Sequence, residues 1–145
     1  MMKRIVLAAA VIAFGVTAVV AQSDPIAARK NLMKDNNNQG RILRDMADGK
    51  QPFDLAAAKR AFASFQTASA KLPELFPDNS KTGDTRALPA IWEKSAEFKA
   101  AAAKFGADAK AAEANTKDLE SLKVSFAEVG KNCGSCHQTF RKPQS

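Results

Sequence analysis

The two cysteines and the single histidine of the chain lie together near its C-terminus, as Cys133, Cys136 and His137. Residues three apart on a helix share one face, so both thiols can add to two vinyl groups on one edge of a porphyrin. The imidazole of the next residue can then reach the iron. Cys-x-x-Cys-His is the attachment signature of a c-type haem. The motif predicts one covalent haem c, attached through Cys133 and Cys136, with His137 as an iron ligand.

Three other interpretations of the motif fit less well. A disulfide between Cys133 and Cys136 would be ordinary in an exported protein, but it would not need the adjacent histidine. A thioredoxin-like redox pair is expected beside a βαβ pattern, which the sequence does not show. A structural zinc site takes four Cys or His ligands, and the chain offers three.

The first 21 residues have the layout of a secretory signal peptide. Lys3 and Arg4 precede an uncharged apolar run over residues 5–20, and small residues follow up to Ala21. The alternative is a membrane anchor, but the run is shorter than the roughly 20 apolar residues that span a bilayer. We expect cleavage after Ala21, a mature domain over residues 22–145 in the periplasm, and no membrane span after cleavage.

The formal net charge of +7 raises the question of a nucleic-acid partner. The lysines are scattered along the chain beside aspartates and glutamates and form no dense basic run. A solvated, mildly basic surface is therefore predicted, suited to redox partner proteins with acidic surfaces rather than to nucleic acid.

The prolines mark the ends of four helices, because proline breaks a helix interior but is tolerated in the first turn. Helical periodicity runs over residues 24–48, 52–72, 89–114 and 118–140, with Gly49 as a stop and Asp118 as a cap. Asn36, Asn37, Asn38 and Gly40 weaken the middle of the first helix, where a bend would fit. Mostly short connections between the helices predict an all-α fold, an antiparallel up-down-up-down four-helix bundle.

The fourth helix carries an apolar seam with spacings of three and four residues, the pattern that packs helical bundles. Because both cysteines belong to it, we expect them to point into the core, with the haem near the C-terminal end of this helix. The seam residues are Leu119, Leu122, Phe126, Val129, Cys133, Cys136 and Phe140.

The second axial position of the iron has two methionine candidates in the mature chain, Met33 and Met46. His137 lies as far from the C-terminus as Met33 lies from Pro25, and the first and fourth helices run antiparallel. Met33 and His137 should thus lie at the same level of the bundle. Met46 lies about 20 Å further along at roughly 1.5 Å per residue, so it is assigned to the core. Met33 is the candidate ligand, with ordinary packing as the alternative.

The C-terminal run over residues 130–142 resembles the end of the class II cytochromes c, the cytochrome c' family. That family is itself a standard example of the four-helix bundle, so the resemblance implies the same fold. The resemblance covers the whole mature chain. It also includes Arg29-x-x-x-Met33-Lys34 in the first helix, Phe76-Pro77, Lys81-Thr82-Gly83-Asp84 and Ile91-Trp92.

The resemblance implies one of two functions, separated by the sixth ligand. In the low-spin branch a methionine at the position of Met33 binds the iron, and a thioether ligand raises the potential, which suits electron transfer. In the classical branch an apolar side chain covers an open iron, which implies binding of nitric oxide or carbon monoxide. A peroxidase would need an open iron and polar distal groups, for which Asn36 and Asn37 are slight support. We expect a His/Met-ligated electron carrier rather than an enzyme.

Three basic residues are further candidates for the cofactor site. Arg29 lies one turn before Met33 on the same face and could pair with a haem propionate, as the resemblance also implies; Lys30 is a weaker case. A solvated arginine is the alternative. Arg141 stacks one turn after His137 and could lie near the porphyrin edge, or it could simply suit the negative end of the helix dipole. Members of the family often dimerise through their first two helices, which leaves a homodimer open.

Overall fold

The computed structural model describes residues 24–143, and the predicted signal peptide lies outside them. The helices are α1 (Pro25–Ala47), α2 (Leu55–Lys71), the short α3 (Ala90–Glu93), α4 (Ser95–Asn115) and α5 (Leu119–Phe140). The long helices α1, α2, α4 and α5 each pack on the next along the chain, and α5 closes the ring on α1. The predicted all-α, up-down-up-down four-helix bundle is confirmed. Within residues 24–143 no helix combines the length and apolar character of a membrane span.

The helix ends follow the predicted signals. The side chain of Asp24 accepts a hydrogen bond from the Ile26 N–H at the start of α1. Asp118 and Ser121 form a reciprocal capping box at the start of α5. Gly49, just after α1, adopts a φ of 71°, which a residue with a Cβ rarely takes. The expected bend in the middle of α1 does not interrupt the helix, which is continuous from Pro25 to Ala47.

The predicted third helix over residues 89–114 is two helices. Lys94 leaves helical geometry, with φ −116° and ψ 45°, between α3 and α4. The break lets α3 follow the preceding loop, where the indole N–H of Trp92 donates to the Phe76 carbonyl at 2.9 Å. Ile91 and Phe98 are still buried on either side of the break. A long-range contact here overrides a helical pattern that is locally continuous.

The core divides into two apolar clusters. The first cluster comprises Leu43, Met46, Ala58, Ala61, Phe62, Phe65, Ala109, Ala112, Leu122 and Val129. The second cluster comprises Leu72, Ile91, Phe98, Ala102 and Phe140, with Met33, Phe76, Trp92 and Cys136 among the half-buried side chains packed against it. Leu55 is 37% exposed at the first position of α2.

The buried stripe of α5 shares Leu122, Val129 and Phe140 with the predicted seam and departs from it at Ser125 and Asn132. It consists of Leu122, Ser125, Val129, Asn132 and Phe140. Phe126 and Cys136 are half-buried, and Cys133 is exposed, so the expectation that both cysteines point into the core is wrong for Cys133. Asn132 takes the inward position because its amide donates to Asp108 on α4, which turns Cys133 to the side.

Candidate haem-attachment site

The two thiols and the imidazole lie on the last turns of α5. Cys133 is exposed, Cys136 is half-buried against the second cluster, and both are free thiols. His137 is half-buried, and its carbonyl accepts a hydrogen bond from the Arg141 N–H at 3.2 Å, which ends the helix. A surface that offers two thiols one turn apart and an adjacent imidazole on an apolar wall fits a porphyrin edge.

The electrostatics of the site favour a neutral imidazole. Burial lowers the pKa of His137, and the positive charges of Arg141 and Arg86 lower it further. Burial also raises the pKa of Cys136, and the neighbouring Cys133 adds to this effect. A neutral imidazole has the free lone pair that binds a metal, and burial favours the neutral thiol of Cys136.

The chain beyond α5 is tied to the loop before α3. Arg141 forms an isolated antiparallel bridge with Ala87. The Leu88 N–H donates to the Phe140 carbonyl at 3.0 Å, and the Lys142 N–H donates to the Arg86 carbonyl at 2.8 Å. This pairing fixes the end of α5 and places the charge of Arg141 close enough to act on Cys136 and His137. Whether Arg141 lies at a porphyrin edge stays a prediction.

The two methionines lie in different clusters. Met33 is half-buried and packs on the second cluster, which Cys136 also contacts. Met46 is 1% exposed inside the first cluster, and its sulfur accepts a hydrogen bond from the Asp54 N–H at 3.3 Å. The structure therefore brings Met33, and not Met46, to the end of the bundle that carries the haem motif.

The structure gives Arg29 and Lys30 partners within the protein. Arg29 is 5% exposed, so it is not a solvated arginine, and its guanidinium bonds to the loop that follows α2. Lys30 is exposed, and its Nζ lies 2.5 Å from Asp84 Oδ2, which lowers the pKa of that carboxyl. Pairing of either residue with a haem propionate stays a prediction.

Sequence reasoning missed the loop residues that hold Arg29. Ser80, which is buried, and Thr85 accept hydrogen bonds from Arg29, and no periodic pattern marks a loop residue for such a role. The Oδ1 atom of Asn36, one turn after Met33, is buried without a hydrogen-bond partner among the described residues. An unpaired amide oxygen on this face of α1 is unusual in a plain apolar core and is in keeping with a site that holds a further group.

Comparison with known proteins agrees with this geometry. The family model described as Cytochrome C' matches residues 24–141. A cytochrome c' of Rhodopseudomonas palustris is 42% identical over 146 residues, covering 100% of both chains. A cytochrome c-556 of the same species is 34% identical over 145 residues, covering 97% of each chain. The solved cytochrome c' of R. palustris superposes with a TM-score of 0.82 at 43% identity, over 86% of this chain and 100% of that one. The prediction of a covalent haem c is confirmed through these relatives, Cys133 and Cys136 are both present for its attachment, and the chain belongs to the cytochrome c' family.

Proposed function

We propose that the protein is a periplasmic electron carrier with one haem c, whose iron is bound by His137 and Met33. The observation that carries this proposal is the shared position of Met33 and Cys136 on the second cluster. A thioether on α1 and the haem motif on α5 thus lie at one end of the bundle.

The antiparallel arrangement of α1 and α5 supports the same assignment. Met33 lies two turns into α1, and His137 lies in the last turn of α5. Met46, the other methionine of residues 24–143, is enclosed by the first cluster, about 20 Å along the helix at 1.5 Å per residue. These positions support Met33 as the methionine that faces His137.

The bound haem supplies one-electron redox chemistry. The chain holds it through the thioethers of Cys133 and Cys136, presents a neutral imidazole, and surrounds the site with the apolar side chains of the second cluster. A thioether ligand stabilises the reduced iron and raises the potential, as does an apolar environment. These properties suit a carrier that meets redox partner proteins rather than an enzyme with a bound substrate.

The periplasmic location rests on the signal-peptide pattern of residues 1–21 and on haem attachment, which takes place outside the cytoplasm. The N-terminal run is cleaved after Ala21, and the mildly basic surface of the mature domain meets acidic redox partners.

A five-coordinate haem that binds nitric oxide or carbon monoxide is the second candidate. It is favoured by the 42% identity to a cytochrome c', and by the half-burial of Met33, which is also compatible with a pocket wall. Optical spectra of the purified holoprotein, with and without carbon monoxide, separate the two. Low-spin spectra in both oxidation states and no carbon monoxide uptake support His/Met ligation. High-spin spectra with ready uptake would replace it with the gas-binding function.

A further inference from the structure

The loop over residues 75–85, called here the 75–85 loop, lies against the first turns of α1. Gly83 in this loop has a φ of 110° and approaches α1 so closely that a Cβ would lie 3.2 Å from Ile26 Cδ1. The exposed pair of Lys30 and Asp84 joins the same two segments at the surface. Both observations place the loop directly on α1.

Arg29 extends from α1 into the 75–85 loop and is the main polar connection between them. Its Nη1 donates to the Leu75 carbonyl at 3.2 Å and to Ser80 Oγ at 2.9 Å. Its Nη2 donates to the Ser80 carbonyl at 3.0 Å and to Thr85 Oγ1 at 2.7 Å. The guanidinium also lies 4.6 Å from the centre of the Phe76 ring. Four of its five N–H groups are thus bonded to one loop.

The partners of Arg29 are neutral. None of the ion pairs found among residues 24–143 includes Arg29. Burial lowers the pKa of its guanidinium, and the negative charge of Asp24 offsets only part of this effect. A buried charge is costly unless hydrogen bonds replace its water. The planar fork of an arginine satisfies these four acceptors in one fixed geometry, which ties the loop to α1 in a single position.

This connection continues to the second cluster, where Met33 packs. The ring of Phe76 contacts Phe98 of the cluster edge-on, with centroids 4.9 Å apart, and the Phe76 carbonyl accepts from the indole N–H of Trp92. Met33 lies one turn after Arg29 on the same face of α1. The loop therefore links the turn that carries Arg29 to the cluster on which Met33 rests.

We propose that Arg29 is a positioning residue for Met33, which fixes the first turns of α1 through the 75–85 loop and so holds the thioether at the haem site. This inference rests on the proposed function, because it presumes that Met33 binds the iron. It differs from a propionate pairing, in which the charge of Arg29 alone would matter.

The test uses the full-length holoprotein and variants that separate charge from geometry. Arg29→Lys keeps the charge but cannot span the four acceptors, and Ser80→Ala with Thr85→Val removes two acceptors and leaves Arg29 in place. Lys123→Met is the matched control, since it removes an exposed cation that is paired with Glu120 within α5. Each variant is measured well below its unfolding temperature for the near-infrared sulfur-to-iron band, for carbon monoxide binding and for tryptic cleavage after Lys81.

We expect Arg29→Lys and the Ser80/Thr85 double variant to lose part of the sulfur-to-iron band. The affinity for carbon monoxide should increase about tenfold, which corresponds to a loss of about 1.4 kcal/mol in the free energy of Met33 ligation. Cleavage after Lys81 should also be faster, because the loop is released. Lys123→Met should match the wild type in all three measurements.

Two results would overturn the inference in different ways. A low-spin wild type whose Arg29→Lys and double variants keep the full band would leave Met33 ligation intact and remove the positioning role, whether or not Lys81 is cleaved faster. A wild type that is itself high-spin would remove the proposed function and the positioning role together.

Discussion

The side-chain amide of Asn132 on α5 donates a hydrogen bond from Nδ2 to Oδ2 of Asp108 on α4, at 2.7 Å. Asn132 is buried, and the same carboxylate oxygen accepts from Lys104 one turn earlier on α4. Because Asn132 directly precedes Cys133, this hydrogen bond joins α4 to α5 at the point where the haem motif begins. It is a polar contact in a position that an apolar seam would otherwise occupy.

The Asp108 carboxylate should make the stability of the bundle depend on acid pH. Its pKa is lowered first by the hydrogen bond from Lys104 and then by that from Asn132. The folded state therefore binds this proton more weakly than the unfolded state. The stabilisation is complete above the ordinary carboxyl pKa of about 3.9 and is lost as the pH falls through the lowered value.

Asp108→Asn should reduce the free energy of unfolding at neutral pH and flatten its decline in acid. Denaturant unfolding at a series of pH values from neutral to strongly acidic checks this. Asp84→Asn is the control, since its carboxylate is also held in a low-pKa state but by an exposed pair with Lys30, which contributes little. Parallel acid profiles for Asp108→Asn and the wild type would contradict the role given to Asp108.

The close packing of α2 on α4 should depend on Gly106. A Cβ at this position would lie 2.2 Å from Ser69 Oγ, which is too close for any real contact. Gly106→Ala should destabilise the protein by about 1–3 kcal/mol, the usual cost of overpacking. Adding Ser69→Ala removes the hydroxyl and should recover part of the loss, as thermal unfolding would show.

Gly40→Ala is the matched control for the glycine. Its Cβ would meet nothing within 4 Å, and it lies inside the continuous helix α1. Helix propensity alone then predicts a gain of up to about 1 kcal/mol. Equal effects of the two substitutions would show that the contact between Gly106 and Ser69 is not tight in solution.

Two aromatic side chains should differ in what their removal costs. Phe62 is fully buried in the first cluster, so Phe62→Ala should cost about 3–5 kcal/mol. Phe126 is half-buried at the edge of the same cluster. Phe126→Ala should therefore destabilise the protein clearly less than Phe62→Ala, although the apolar seam suggests the full loss expected for a core aromatic residue. Denaturant unfolding of the two variants measures the difference, and a larger loss at Phe126 would restore the predicted seam.

Local signals in the sequence were sufficient for the outer ends of the four predicted helices and for the haem motif. Prolines, capping aspartates and Gly49 act through backbone geometry within a few residues, so they can be recognised without a fold. Helical rise and antiparallel order also predicted that Met33 lies at the end of the bundle that carries the haem motif, and Met33 and Cys136 pack against the same cluster. These properties depend on spacing along the chain.

Contacts between distant segments could not be predicted in the same way. The break at Lys94 depends on the reach of Trp92 to the Phe76 carbonyl, and the buried position of Asn132 depends on Asp108 in another helix. An apolar pattern with a spacing of three and four marks a stripe to within one residue. A partner across the bundle decides which side of that stripe is turned inward.

The ligation of the iron by Met33 should respond selectively to removal of this methionine. Met33→Ala takes away the thioether on the second cluster, so the iron should become high-spin, lose the near-infrared sulfur-to-iron band, bind carbon monoxide and fall in potential. Met46→Ala removes a sulfur enclosed in the first cluster and should leave the spectrum unchanged, while costing about 2–5 kcal/mol of stability. Optical spectra, redox titration and thermal unfolding of both variants separate a ligand from a core residue.

A third variant, Met33→Leu, distinguishes iron ligation from simple packing at Met33. If Met33 only fills space against the second cluster, then Met33→Leu, which keeps an apolar side chain of similar size, should retain the wild-type spectrum. If Met33 binds the iron, then Met33→Leu should lose the sulfur-to-iron band as completely as Met33→Ala, because no carbon side chain can donate to iron. A wild type and a Met33→Leu variant with the same spectrum and the same carbon monoxide affinity would therefore assign Met33 to the wall of an open distal pocket and make gas binding the leading function.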